Sequence, residues 1–196
     1  MHRPALVTAP TEMPVSLQEV KQHLRLVVGD ETYTTEDGTL QIYLDAAVSH
    51  LDGYSGVLGR CLVTQTWRQD FDAFAKCMRL PLLAATVASV KYRAPTGTLS
   101  TVASTEYSLK SDDFGSYVRF NDDYVFPGEL AQSQAVLIEF TAGYGAAADV
   151  PAAIKAAILL LVGHFYINRL AATSEPVNVV PMAVDALITP FRRMSV

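Results

Sequence analysis

The chain alternates between two kinds of hydrophobic spacing. Near the start, Leu17, Val20 and Leu24 recur at helical intervals behind Ser16 and Glu19. An S-x-x-E pair of this kind can satisfy two backbone donors at a helix start. This predicts a first helix from Ser16 to near Gly29. A polar loop follows. Leu40, Tyr43, Leu44, Ala47, Val48 and Leu51 then form a second apolar stripe, which predicts a helix over about 39–54. The glycines of "GYSGVLG" end it.

From Cys61 the spacing changes to alternation. "CLVTQTWRQDF", "MRLPLL", "TVASVKYRA", "TEYSLKS", "SYVRFN" and "AVLIEFTAG" read as short strands separated by turn clusters. In the last of them Val136, Ile138 and Phe140 face one way, and Leu137, Glu139 and Thr141 the other. A third helix is predicted from Pro151 to about Ala171, roughly 30 Å long at about 1.5 Å per residue. Proline suits its first turn, and Asp149 stands where a carboxylate can cap it. One short helix, from Pro181 to Ile188, is expected in the proline-bearing tail.

This order predicts an α+β fold. Two N-terminal helices and one long C-terminal helix form a helical body, and an antiparallel β module of five to six short strands is inserted into it. The expected divisions are a flexible arm at 1–13, body at 14–60, β module at 61–143, body at 144–175 and a docking tail at 176–196.

Composition narrows the function. Half of the 196 residues are hydrophobic and 18% are charged. Such a balance leaves apolar surface for an oligomer interface. The net charge of −5 disfavours a grip on nucleic-acid phosphates, which depends on Lys and Arg. The longest apolar run, Ala156 to Gly163, is far short of the roughly 20 residues that span a bilayer. The N-terminal stretch has no signal-peptide pattern. Cys61 and Cys77 have no CxxC spacing and read as ordinary thiols.

No residue set for catalysis emerges. Gly53, Ser55 and Gly56 lack the spacing of a nucleophile elbow. "AGYGAAADVP" could cradle a phosphate at a helix start, but it lacks the dinucleotide fingerprint and reads better as a strand-to-helix turn. His2, His23, His50 and His164 have no ligand spacing, and His164 reads as a packed or interface histidine. Asp112-Asp113 and Asp122-Asp123 sit in turns, where Asp bonds locally. Trp67, Phe74, Tyr92, Tyr107, Phe120 and Tyr124 have too few cations among them for a base-stacking platform and read as packing. Arg169, at the end of the long helix, complements its dipole or enters an intersubunit ion pair. The expectation is a non-enzyme with no catalytic residue, cofactor or metal.

The ordered segments "MPVSLQEVKQHLRL", "EDGTLQIYLDAAVSHLDGYSGVLGRCLVTQTWR", "LPLLAATVASVKY" and "EFTAGYGAAADVPAAIKAAILLLVGHFYINR" resemble the head–tail connector (adaptor) proteins of tailed phages. The resemblance covers about residues 14–170. It departs from the family where the "LPLL" segment lacks a second proline, and after Glu175. The family includes phages, defective prophages and phage-like gene transfer agents. The resemblance implies a structural protein of the particle neck, made in the bacterial cytoplasm. It would form a ring with copies of itself, twelvefold in the particle, between the portal and a stopper or tail-completion protein. DNA would pass through the ring without specific binding, and no membrane is involved. Phe191, Arg192 and Arg193, with Arg169, are the expected partner-binding residues. A different neck or tail-completion protein is the alternative, followed by a small enzyme without a recognisable motif.

Overall fold

The computed structural model describes residues 2–28, 31–32, 35–169 and 182–193. In chain order the elements are β1 (Ala5–Thr8), α1 (Leu17–His23), β2 (Val27–Val28), β3 (Glu31–Thr32), α2 (Asp37–Leu51), β4 (Gln65–Phe71), β5 (Cys77–Arg79), β6 (Ala84–Arg93), β7 (Leu99–Thr101), β8 (Tyr107–Asp112), β9 (Gly115–Phe120), β10 (Val136–Ala142), α3 (Ala152–Ile167) and α4 (Met182–Ile188). The fold is α+β, as the change of period predicts. The chain divides into two compact units. One lies within Met1–Thr11 and Thr64–Tyr144, the other within Glu12–Val63 and Gly145–Arg193.

The helical unit is built on capped, one-sided helices. Glu19 N–H donates to Ser16 Oγ at 3.2 Å, and Ser16 N–H donates to Glu19 Oε2 at 2.6 Å. These reciprocal bonds hold the Glu19 carboxyl below the usual range, the Ser16 backbone N–H being the main cause. Along α2, Leu40, Leu44, Ala47, Val48 and Leu51 are all buried. They meet α3, whose Ile154, Ala157, Ile158, Leu161 and Val162 are buried as well.

Four helix ends differ from the sequence expectation. α1 stops at Leu24, short of Gly29. Arg25 takes a left-handed φ of 57°, and Leu26 N–H returns to the Lys21 carbonyl at 2.9 Å. That closure normally uses glycine, so an arginine there gives no warning. α2 starts at Asp37 and ends at Leu51. α3 ends at Ile167, with Asn168 as its C-cap and Arg169 already outside the helix, short of the expected Ala171.

The β unit holds a five-stranded sheet in the order β1-β4-β10-β6-β7 and a three-stranded sheet in the order β5-β9-β8. All neighbours are antiparallel. β10 is central, so nearly both of its faces are covered. Val136, Ile138 and Phe140 are fully buried, while Glu139 and Thr141 are half-buried. The expected alternation along this strand is present. Phe120 is fully buried within a ring of Phe74, Tyr107, Tyr124 and Phe126, at centroid distances of 5.3–6.1 Å. The dispersed aromatics therefore serve packing, and they pin the segment after β9.

Residues 1–13 need a correction. The absence of periodicity predicts a flexible arm, but Ala5–Thr8 pairs with β4 as an edge strand. The five residues between Pro4 and Pro10 are too few to show a period. β7 is similarly short and has no clear sequence signal.

Candidate assembly surfaces

The C-terminal segment is tied to the helical unit. Val184 and Ile188 of α4 are buried, and α4 packs on α3. A 3-10 turn over Thr189–Phe191 follows, with Pro190 supplying a preset φ. Thr189 Oγ1 donates to the Asp185 carbonyl at 2.6 Å, and Arg192 Nη2 donates to Asp185 Oδ1 at 2.6 Å. Arg193 N–H donates to the Leu58 carbonyl at 2.9 Å. Phe191 and Arg193 are half-buried and Arg192 is exposed. The structure thus gathers Phe191, Arg192 and Arg193 at the end of an anchored helix. The rest of the expected tail, 176–181 and 194–196, lies outside the described residues.

Arg169 belongs to a separate cluster. Its Nη2 donates to Glu36 Oε1 at 2.7 Å, and the Tyr166 hydroxyl donates to Glu36 Oε2 at 2.7 Å. The Arg169 guanidinium also lies 4.7 Å from the centre of the Tyr166 ring. Hydrogen bonds from Arg169 first, and Tyr166 second, hold the Glu36 carboxyl below its ordinary range. The same carboxylate pushes Tyr166 and Arg169 upward. Glu36 carries no sequence signal of this role, because it stands far along the chain from Arg169. Asp185 precedes Arg192 by two helical turns, a spacing that sequence could have suggested.

The turns with possible chemistry are consumed by the fold. The backbone donors of "AGYGAAADVP" are met by carboxylates of this chain: Ala146 N–H donates to Asp149 Oδ2 at 2.9 Å, and Ala147 N–H donates to Glu12 Oε1 at 2.7 Å. A phosphate would compete with both. Asp149 therefore caps the 3-10 turn before α3, and the α3 N-cap, Pro151, has no side-chain cap. Around Ser55 the chain folds back on α2: Val57 N–H bonds the His50 carbonyl at 2.9 Å, and Gly53 N–H bonds the Arg60 carbonyl at 2.8 Å. Asp112 takes a two-pronged bond from Arg79 at 2.8 and 2.5 Å and accepts Phe114 N–H at 3.0 Å. Arg79 is the main cause of its lowered carboxyl pKa. Asn168 Nδ2 lies 3.3 Å from His164 Nδ1, so His164 is part of the α3 cap. Cys61 is buried and Cys77 exposed. Among the described residues no cluster of His, Cys, Asp and Glu is arranged to hold a metal, and no helix is long and apolar enough to cross a membrane.

No protein-family model and no curated protein matches the chain. Solved structures do. A chain from the neck of an empty gene transfer agent (GTA) particle, computed with C6 symmetry, superposes with a TM-score of 0.80 at 26% identity. The overlap covers 100% of this chain and 97% of that one. The chain has the fold of a GTA neck protein. A chain from the virion of a native GTA particle gives a TM-score of 0.76 at 26% identity, again over 100% and 97%. A third, from the neck of a native GTA particle computed with C12 symmetry, shares the fold at 24% identity, a TM-score of 0.76 and the same coverage.

The resemblance carried by the ordered motifs is thus met by whole-length structural neighbours. Those neighbours are structural parts of a particle, in keeping with a GTA-neck-like chain that is not an enzyme.

Proposed function

We propose that this chain is the head–tail adaptor of a phage-like particle. Copies form a ring that attaches below the portal and continues the DNA channel to the stopper and tail. The observation that carries the reading is the end-to-end superposition on a GTA neck chain. The C6 and C12 symmetries of the neighbours' necks support self-assembly, and twelve copies fit the second of them. A ring also accounts for the apolar composition, since each subunit covers part of its neighbour. An acidic chain lets DNA pass without holding it.

Within this reading, the surface formed by Phe191, Arg192 and Arg193 meets the portal. α4 gives it a rigid base, Phe191 offers an aromatic anchor and Arg192 a forked cation. Arg169 has no part in that contact, because its guanidinium is paired with Glu36 and Tyr166. Deleting the whole tail would remove Val184 and Ile188 from the core, so a point substitution is the cleaner test. Arg192→Glu should abolish co-purification with portal and, by breaking the exposed pair with Asp185, lower the melting temperature only slightly, by the equivalent of about 1 kcal/mol. Undiminished binding would refute the assignment.

The function itself is tested by removing the gene from the producing strain. Heads that leak DNA and lack tails are expected. Normal particles would overturn the adaptor reading. Heads with an adaptor ring in place but no tail tube would assign the chain to a lower level of the neck.

A further inference from the structure

The N-terminal strand lies on a receptor prepared for it. Among the described elements, β1 packs substantially only on β4. All four of its residues are exposed, Leu6 by 48% and Val7 by 49%. Side-chain burial therefore does little to hold β1. Backbone pairing does, together with a latch at residue 2. Gln69, 0% exposed, donates its Nε2 to the His2 carbonyl at 2.8 Å. His2 N–H reaches the Asp70 carbonyl at 3.4 Å, and His2 Nε2 lies 2.7 Å from Asp72 Oδ1. A wholly buried carboxamide directed at the terminal segment makes this edge of β4 a strand-accepting site, the arrangement by which an extended peptide adds to a sheet.

Such a site does not distinguish the copy that supplies the strand. Every contact just named would be the same with residues 2–8 of another copy. The chain next to β1 allows that exchange. Pro14 and Val15 are buried in the other unit, and Glu12 is tied to Ala147 N–H. Residues 9–13 form the link. If Glu12 lets go, the six steps from Thr8 to Pro14 extend to about 20 Å. Pro10 stiffens the link against folding back. In a ring the exchange repeats at every subunit and leaves no β4 edge open.

We propose that, on assembly, residues 2–8 of each copy pair with β4 of the next copy. The partner is a second copy of this chain, and the proposal rests on the ring reading above. The test uses the register, in which Ala5 faces Arg68 and Thr8 faces Thr66. Ala5→Cys/Arg68→Cys is made in a Cys77→Ser background, and Thr8→Cys/Thr66→Cys replaces it if the first pair does not fold. Particles and soluble protein are oxidised with diamide and run on non-reducing gels.

The expected result is a covalent ladder of multimers from the particles and internally bridged monomer from the soluble pool. Internally bridged monomer alone in both pools overturns the exchange, and so does failure of a folded pair to bridge in the particles. Whether the chain is present in the particles is scored separately by immunoblot. Its absence there would refute the adaptor reading, and a ladder in the soluble pool would then still support strand exchange.

Discussion

Lys21 and Asp37 join α1 to α2 by an ion pair whose partners are unequally buried. Lys21 Nζ lies 2.6 Å from Asp37 Oδ1, and the side chains are 6% and 34% exposed. Asp37 Oδ1 is buried and has no hydrogen-bond partner, so the attraction is chiefly coulombic. At an effective dielectric constant of about 20, the gross attraction at this distance is about 6 kcal/mol. Desolvating the ammonium costs several kcal/mol and offsets most of it. The intact pair is therefore close to neutral for stability, but its two halves are not equivalent.

Asp37→Ala strands a buried ammonium and should cost about 3 kcal/mol. Lys21→Met leaves Asp37 Oδ1 buried and unpaired, but the side chain as a whole is 34% exposed, so it should cost less than Asp37→Ala. The double variant should recover most of the Asp37→Ala loss. Melting followed at 222 nm reports the helical unit, whereas the fluorescence of Trp67, the single tryptophan, reports the sheet unit. A loss of about 3 kcal/mol corresponds to roughly 6–12 °C in the helical signal for a chain of this size. An Asp37→Ala shift below about 2 °C, or a double variant no better than Asp37→Ala, would refute the reasoning.

Three further outcomes follow from single contacts. A Cβ on Gly56 would stand 2.3–2.5 Å from the backbone of Leu51 and Asp52; Gly56→Ala should cost about 3 kcal/mol or more, read as loss of soluble protein or a lower melting temperature. Phe120→Ala empties the centre of the aromatic cluster and should cost about 3–5 kcal/mol, with collapse of the near-UV circular dichroism. Glu36 is held below its ordinary pKa, so its contribution is present above the unfolded value near about 4.3 and is lost as pH falls through the folded one. Glu36→Gln should therefore flatten the acid limb of the melting-temperature profile below about pH 4.5, and it should lower the Tyr166 titration seen by NMR; an unchanged Tyr166 titration would contradict the cluster.

Sequence made visible what depends on spacing. The stripe of α2, the Ser16–Glu19 cap and the alternation of β10 each arise from neighbours a few positions apart, and each is present. Short elements and distant pairs were hidden. β1 is four exposed residues between prolines, and only the distant Gln69 and β4 give it a place. The Arg25 stop on α1 uses a residue that ordinarily avoids positive φ. Asp149 was legible as a cap, but local geometry directs it to Ala146 and not to α3. In the assembly surface, Phe191, Arg192 and Arg193 stood out by type. Their anchors, Asp185 and Leu58, and the partner of Arg169, Glu36, are products of folding.

The central claim is that this chain builds the neck. The most direct measurement is a reconstruction of purified particles from the producing strain. The account predicts a ring of this chain between portal and tail, with the DNA channel open along its axis. Particles whose neck is complete without density for this chain would contradict it.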